Sequence, residues 1–124
     1  MIAADTSTLS ALLAGDTGKD VERLADEMSR GQLVLPPVVL TEILSDKATA
    51  KLLAPHFEDL RLLALSTDYW RLAGEARAKL KSHGLKAKVG DALIAQSCID
   101  HGVPLITRDS DFRHFAKHCG LKLA

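Results

Sequence analysis

Short apolar runs alternate with amphipathic stretches along the whole chain, and this alternation predicts strands interleaved with helices. Met1–Ala4 reads as a short buried strand and Thr6–Leu13 as a helical turn closed by Gly15. In Lys19–Arg30 the residues Val21, Leu24, Ala25 and Met28 share one face, the spacing of a surface helix, and Gly31 stands where such a helix stops. Leu33–Leu35 reads as a second strand. Pro36-Pro37 opens a third helix, which carries Val38, Val39, Glu42, Ile43 and Leu44, because proline suits a first helical turn. Ala48–Phe57 is helical with a break at Pro55, and Leu60–Leu65 is a third strand. Thr67–His83 is a long helix with Ser66 or Thr67 as its cap and Gly84 as its stop. After a basic loop at Leu85–Val89 comes a mostly apolar helix, Gly90–His101, ended by Gly102. Pro104–Thr107 is a fourth strand, Ser110–His118 a last helix, and Leu121–Leu123 an edge strand.

Strands separated by helices pair in parallel, so the pattern predicts an α/β fold, a three-layer α/β/α sandwich around a central parallel sheet of four to five strands. The 124 residues fit one domain spanning 1–124, with no linker, repeat or low-complexity tract. Ligands of such sheets bind beyond the carboxyl ends of the strands, which indicates where chemistry belongs.

Four acids fall at that edge. Asp5 directly follows the first strand, and Asp109 comes two residues after Thr107, which ends the fourth. Glu42 lies about one and a half turns into the helix after the second strand, and Asp91 opens the apolar helix Ala92-Leu93-Ile94-Ala95. Each has an ordinary explanation as a helix cap, a dipole partner or a surface residue. Their convergence on one rim does not. Carboxylates ~4 Å apart repel by about 4 kcal/mol at an effective dielectric of 20, so such a cluster calls for protons or a cation. An all-oxygen ligand set suits a hard divalent ion, Mg²⁺ or Mn²⁺, better than Zn²⁺.

Composition narrows the partners. The chain is 47% hydrophobic with only five aromatic residues, so its core must be aliphatic and it has no extended platform for stacking bases. Net charge is zero, but it is unevenly placed: residues 1–60 carry ten acids against five Lys/Arg, and residues 61–124 six against eleven. Six basic residues between Arg71 and Lys88 face a single acid, Glu75. Lys86 and Lys88 precede Asp91, and Arg108 and Arg113 flank the final acids, where they could hold a phosphate backbone on either side. Cys98 reads as a core residue and the two cysteines form no framework. With no signal peptide or membrane-length apolar run, a reduced cytoplasmic location is expected. His114 and His118 are four apart on a helix but lack a third ligand nearby, and read as surface residues. No Walker-type phosphate loop is present.

The segments Asp5-Thr6-Ser7, Thr41-Glu42-Ile43-Leu44, Gly90-Asp91-Ala92-Leu93-Ile94-Ala95 and Thr107-Arg108-Asp109-Ser110-Asp111-Phe112 resemble the signature blocks of PIN domains, and most closely those of VapC-type toxins. They occur in family order from residue 5 to residue 112. The resemblance implies a metal-dependent endoribonuclease in which Asp5, Glu42, Asp91 and Asp109 hold Mg²⁺ or Mn²⁺, with Asp111 as a substitute for Asp109. Ser7 and Thr107 would be supporting hydroxyls. It further implies an RNA substrate, a homodimer and a small antitoxin partner. Surplus aliphatic residues among Leu24, Met28, Leu40, Ile43, Leu44, Leu52 and Leu53 would offer a groove for an antitoxin helix, and Tyr69 and Trp70 would either meet a second copy or cap the core. Two alternatives compete. A receiver-like phospho-signalling domain wants paired acids after the first strand and a lysine after the last, whereas Asp5 stands alone and Arg108-Asp109 takes the lysine's place. A non-catalytic PIN-like binding module would be expected to lack at least one acid, and all four are present.

Overall fold

Three parallel strands run through the middle of the chain's computed structural model, which describes residues 1–124. β1 (Ile2–Ala4) lies at the centre, with β2 (Leu33–Val34) on one side and β3 (Leu105–Ile106) on the other. Ile2 and Ala3 pair with Leu33 and Val34, and Ala3 and Ala4 pair with Leu105 and Ile106. All of these residues are buried, as expected of a sheet covered on both faces.

The two outer strands read from sequence contract to single bridges. Leu35 pairs with Leu62 and Leu105 with Leu123, both in parallel. The sheet therefore has three strands and one further bridging residue on each edge. Leu60–Leu65 does not extend beyond its one bridge: Leu62 and Leu65 are exposed and only Leu63 of its centre is buried.

The helices follow from the path between strands. α1 (Thr6–Leu13) and α2 (Lys19–Ser29) connect β1 to β2; α3 (Pro37–Leu44), α4 (Lys47–Leu53) and a 3₁₀ turn (Ala54–Asp59) lead outward to Leu62. The chain then returns across the sheet through α5 (Tyr69–Ser82) and α6 (Val89–His101) to β3, followed by α7 (Phe112–Cys119). Right-handed crossovers require outward and returning connections to lie on opposite faces. The packing agrees: α1 contacts α2, α3 and α4, whereas α5 packs on α6 and α7. This is the α/β/α sandwich expected from sequence. The direction of winding reverses between β1 and β3, so the topological switch point lies at their carboxyl ends, next to Asp5 and Thr107.

The core is aliphatic apart from Phe112, Phe115 and Tyr69, and Tyr69 closes it by donating its hydroxyl to the Leu93 carbonyl at 2.6 Å. α5 starts at Tyr69, two residues later than its sequence suggests, after a turn at Thr67-Asp68. Gly102 ends α6 in the left-handed conformation (φ 62°), which needs a residue without a Cβ. No helix is long and apolar enough to cross a membrane.

Candidate metal centre

Asp5 leaves β1 in an extended conformation and caps α1, its Oδ1 accepting the Thr8 amide at 3.0 Å. Asp5 thus fills the capping role that was its ordinary explanation. Its carboxylate is buried and held by hydroxyls: Ser7 Oγ lies 2.8 Å from both oxygens, and Thr107 Oγ1 donates to Oδ2 at 2.6 Å. Thr107 in turn accepts the Asp109 amide at 2.9 Å, and the Arg108 amide donates to Ser7 Oγ at 3.2 Å. Residues 102 positions apart are joined by one hydrogen bond because β1 and β3 are neighbours.

The acids nearest one another are Asp91, Asp109 and Asp111. One carboxylate oxygen from each lies within 4.8 Å of the other two. At that separation, like charges cost about 3 kcal/mol per pair at an effective dielectric of 20. The Asp91 carboxyl is pushed up to about 6, first by burial, then by the charge of Asp109, with Asp111 and Glu42 adding to it and Lys88 opposing. Asp109 is oriented by the Asp111 amide, which donates to Asp109 Oδ1 at 2.9 Å.

Glu42 comes to the same rim from α3. Thr6 Oγ1 donates to its Oε1 at 2.8 Å, and a Cβ placed on Gly90 would lie 3.8 Å from its Oε2. Thr6, whose sequence context gave it no role, therefore ties Glu42 to the residue after Asp5. From the sequence, all four acids were expected to crowd one another. The structure instead brings Asp91, Asp109 and Asp111 closest together, while the Asp5 carboxylate accepts hydrogen bonds from Ser7, Thr8 and Thr107. Asp5's charge is nevertheless felt behind it: with burial as the larger cause, it helps push the Cys98 thiol up to about 12.

The cations divide into free and engaged. Lys86 and Lys88 are exposed, and Lys88 is close enough to Asp91 to lower its pKa. Arg71 pairs with Glu75 and Asp68, and Arg77 donates to the Ala87 carbonyl at 2.7 Å, which fixes the basic loop to α5. Arg108, expected to face phosphate, turns to the α1–α2 loop and the first turn of α2, binding Asp16 and the Thr17 carbonyl in the loop and Asp20 in the helix. His118 stacks on His83, ring centroids 4.3 Å apart, across the α5–α7 contact.

A doubly wound α/β protein with an acidic centre at its switch point is the class that these features define. The family model described as "PIN domain" matches residues 2–118, and the chain belongs to that family. PIN domains are in general nucleases that use divalent ions. Among solved structures the fold is similar to that of VapBC2 from Rickettsia felis bound to a DNA fragment from their promoter (TM-score 0.78, 20% identity, 100% of this chain and 98% of that one). It is also similar to DNA-bound VapBC from Salmonella typhimurium (0.75, 19%, 100% and 98%) and to VapBC-5, from the VapBC family of toxin-antitoxin systems, from Mycobacterium tuberculosis (0.71, 21%, 98% and 95%). No curated protein matches the sequence.

Proposed function

We propose that this protein is a Mg²⁺- or Mn²⁺-dependent endoribonuclease and the toxin of a toxin–antitoxin pair. The observation that carries the reading is the group Asp91, Asp109 and Asp111, three carboxylates within 4.8 Å at the carboxyl edge of a PIN-family sheet. The donor set is all oxygen, matching a hard divalent ion, and the raised Asp91 carboxyl marks charge that a cation would relieve. Asp91, Asp109 and Asp111 would hold the ion, with Asp5 and Glu42 completing the rim. When bound, such an ion supplies neutralisation of charge developing on a scissile phosphate and acidifies water.

The chain's own residues support that chemistry by orientation. Ser7 and Thr107 fix the Asp5 carboxylate, Thr6 fixes Glu42, and the Asp111 amide fixes Asp109. Lys86 and Lys88, exposed before Asp91, grip the RNA backbone on the open side.

An antitoxin fits the same reading, since the similar structures are VapBC complexes. Leu12, Leu13, Ala25, Met28 and Leu52 line a groove of about 870 Å³ between α1, α2 and α4, rimmed by Glu58 and Asp59. Of the aliphatic residues singled out in the sequence, Met28 and Leu52 reach this groove, whereas Leu24, Ile43 and Leu53 are buried in the core. An amphipathic helix is the occupant that such a groove accepts. Trp70, 63% exposed, is the candidate contact for a homodimer.

The test is cleavage of a structured RNA by purified protein in EDTA, then with Mg²⁺ or Mn²⁺ restored. Cleavage that appears only with the ion, and that Asp91→Asn abolishes, supports the reading. Metal-bound protein that leaves every RNA intact overturns it.

A further inference from the structure

The loop after β3 carries Asp109 and Asp111, yet neither aspartate anchors it to the rest of the fold. Thr107 ties its start to Asp5, and a second connection runs through Arg108. Its Nε and one terminal nitrogen meet Asp20 Oδ2 and Oδ1 at 2.5 and 3.1 Å, a two-pronged pair. The same terminal nitrogen donates to the Thr17 carbonyl at 2.9 Å, and the other approaches Asp16 at 3.5 Å. On its backbone, the Arg108 amide donates to Ser7 Oγ, which also contacts both oxygens of Asp5. One residue thus touches the α1–α2 loop with its side chain and the acidic rim with its main chain.

Gly18 lets the pair close. Its φ of 139° belongs to the region that favours glycine, and a Cβ there would lie 2.7 Å from Asp20 Oδ1 and 3.2 Å from the Arg108 terminal nitrogen. Paired forks of this kind fix direction as well as distance, which a single-point contact from lysine does not. In support, the Arg108 partner holds the Asp20 carboxyl below its usual range.

We infer that Arg108 and Asp20 form a clamp that positions the Asp109–Asp111 loop, and that Arg108 is a positioning residue and not a phosphate contact. The inference rests on the ribonuclease reading for its kinetic part only.

The test compares Arg108→Ala, Arg108→Lys, Asp20→Asn and the Arg108→Ala/Asp20→Asn double variant in the full chain. In metal-free protein, amide hydrogen exchange at Asp109 and Asp111 should speed up at least tenfold in both Arg108→Ala and Asp20→Asn, with no further gain in the double variant. Mn²⁺ affinity, read by calorimetry with the metal alone, should fall threefold or more. In RNA cleavage, Asp20→Asn should lower kcat about as much as Arg108→Ala while KM moves less than twofold, and Arg108→Lys should restore little. If Asp20→Asn leaves exchange at the loop unchanged, or if Arg108→Ala raises KM while Asp20→Asn lowers it, the clamp is overturned. A parent protein that cuts no RNA sinks the ribonuclease reading alone, because exchange and metal affinity still decide the clamp.

Discussion

Replacing Asp91 with Asn should make the metal-free protein more stable while removing its response to Mg²⁺. The folded carboxyl titrates near 6, against 3.8 for the ordinary group. The folded state therefore keeps its proton to higher pH than the unfolded chain does. Stability from this residue is greatest below about pH 4, is lost as the pH rises toward 6, and becomes a penalty above that. Taken at face value the shift corresponds to about 3 kcal/mol. The carboxyl is only half buried, so solvent screening reduces this to roughly 1–2 kcal/mol. Against it stands the favourable position of an acid in the first turn of α6, worth about 0.3–1 kcal/mol and lost in the variant. The net gain is roughly 1 kcal/mol, or about 3–5 °C in Tm for a chain of this size. The assay is thermal unfolding in EDTA between about pH 4 and pH 8 for both proteins, read as a difference. The difference matters because His118, held low first by burial and then by His83, Lys117, Lys79 and His114, contributes the opposite slope in the same range and cancels in the subtraction. A variant less stable than its parent at neutral pH, or a difference that does not change with pH, would refute the account of charge crowding.

Other residues give sharper contrasts. Asp5→Asn should cost about 1–2 kcal/mol in urea unfolding, because a buried carboxylate accepting from Ser7, Thr8 and Thr107 loses an acceptor where hydroxyls converge; a neutral result would mean that the hydroxyls reorient freely. Mg²⁺ at a hundredfold excess over its Kd should stabilise the parent by about 2.7 kcal/mol in calorimetric melting, and Asp91→Asn should show no such gain. Leu9→Ala, at a fully buried position on α1, should cost roughly 2–5 kcal/mol by denaturant titration while leaving Mn²⁺ affinity per folded molecule intact.

The layered fold was legible because hydrophobic periodicity and glycine stops act locally: the helix ending at Gly102 and the strand before Asp5 could be marked from a few neighbours. The convergence of acids was legible for a different reason, since parallel sheets place strand ends together whatever the sequence between them. What stayed hidden depends on side-chain direction. Nothing near Arg108 in the sequence announces Asp20, 88 residues away, so a cation beside acids read as a phosphate ligand. Likewise, Ser7 and Thr107 were visible as hydroxyls near Asp5 or Asp109, but not as donors to the same Asp5 carboxylate. At Leu60–Leu65 the apolar run suggested a strand, but the pairing stops at the single bridge between Leu62 and Leu35, and Leu62 and Leu65 stay exposed.

The order of strands also has a temporal meaning. β1 is made before β3 and pairs with it, and the bond between Asp5 and Thr107 at their ends spans 102 positions. A nascent polypeptide that has not yet delivered Thr107 leaves Asp5 without its partner and lacks Asp109 and Asp111 altogether. Until β3 and the loop after it have been made, the growing chain has no assembled carboxylate cluster.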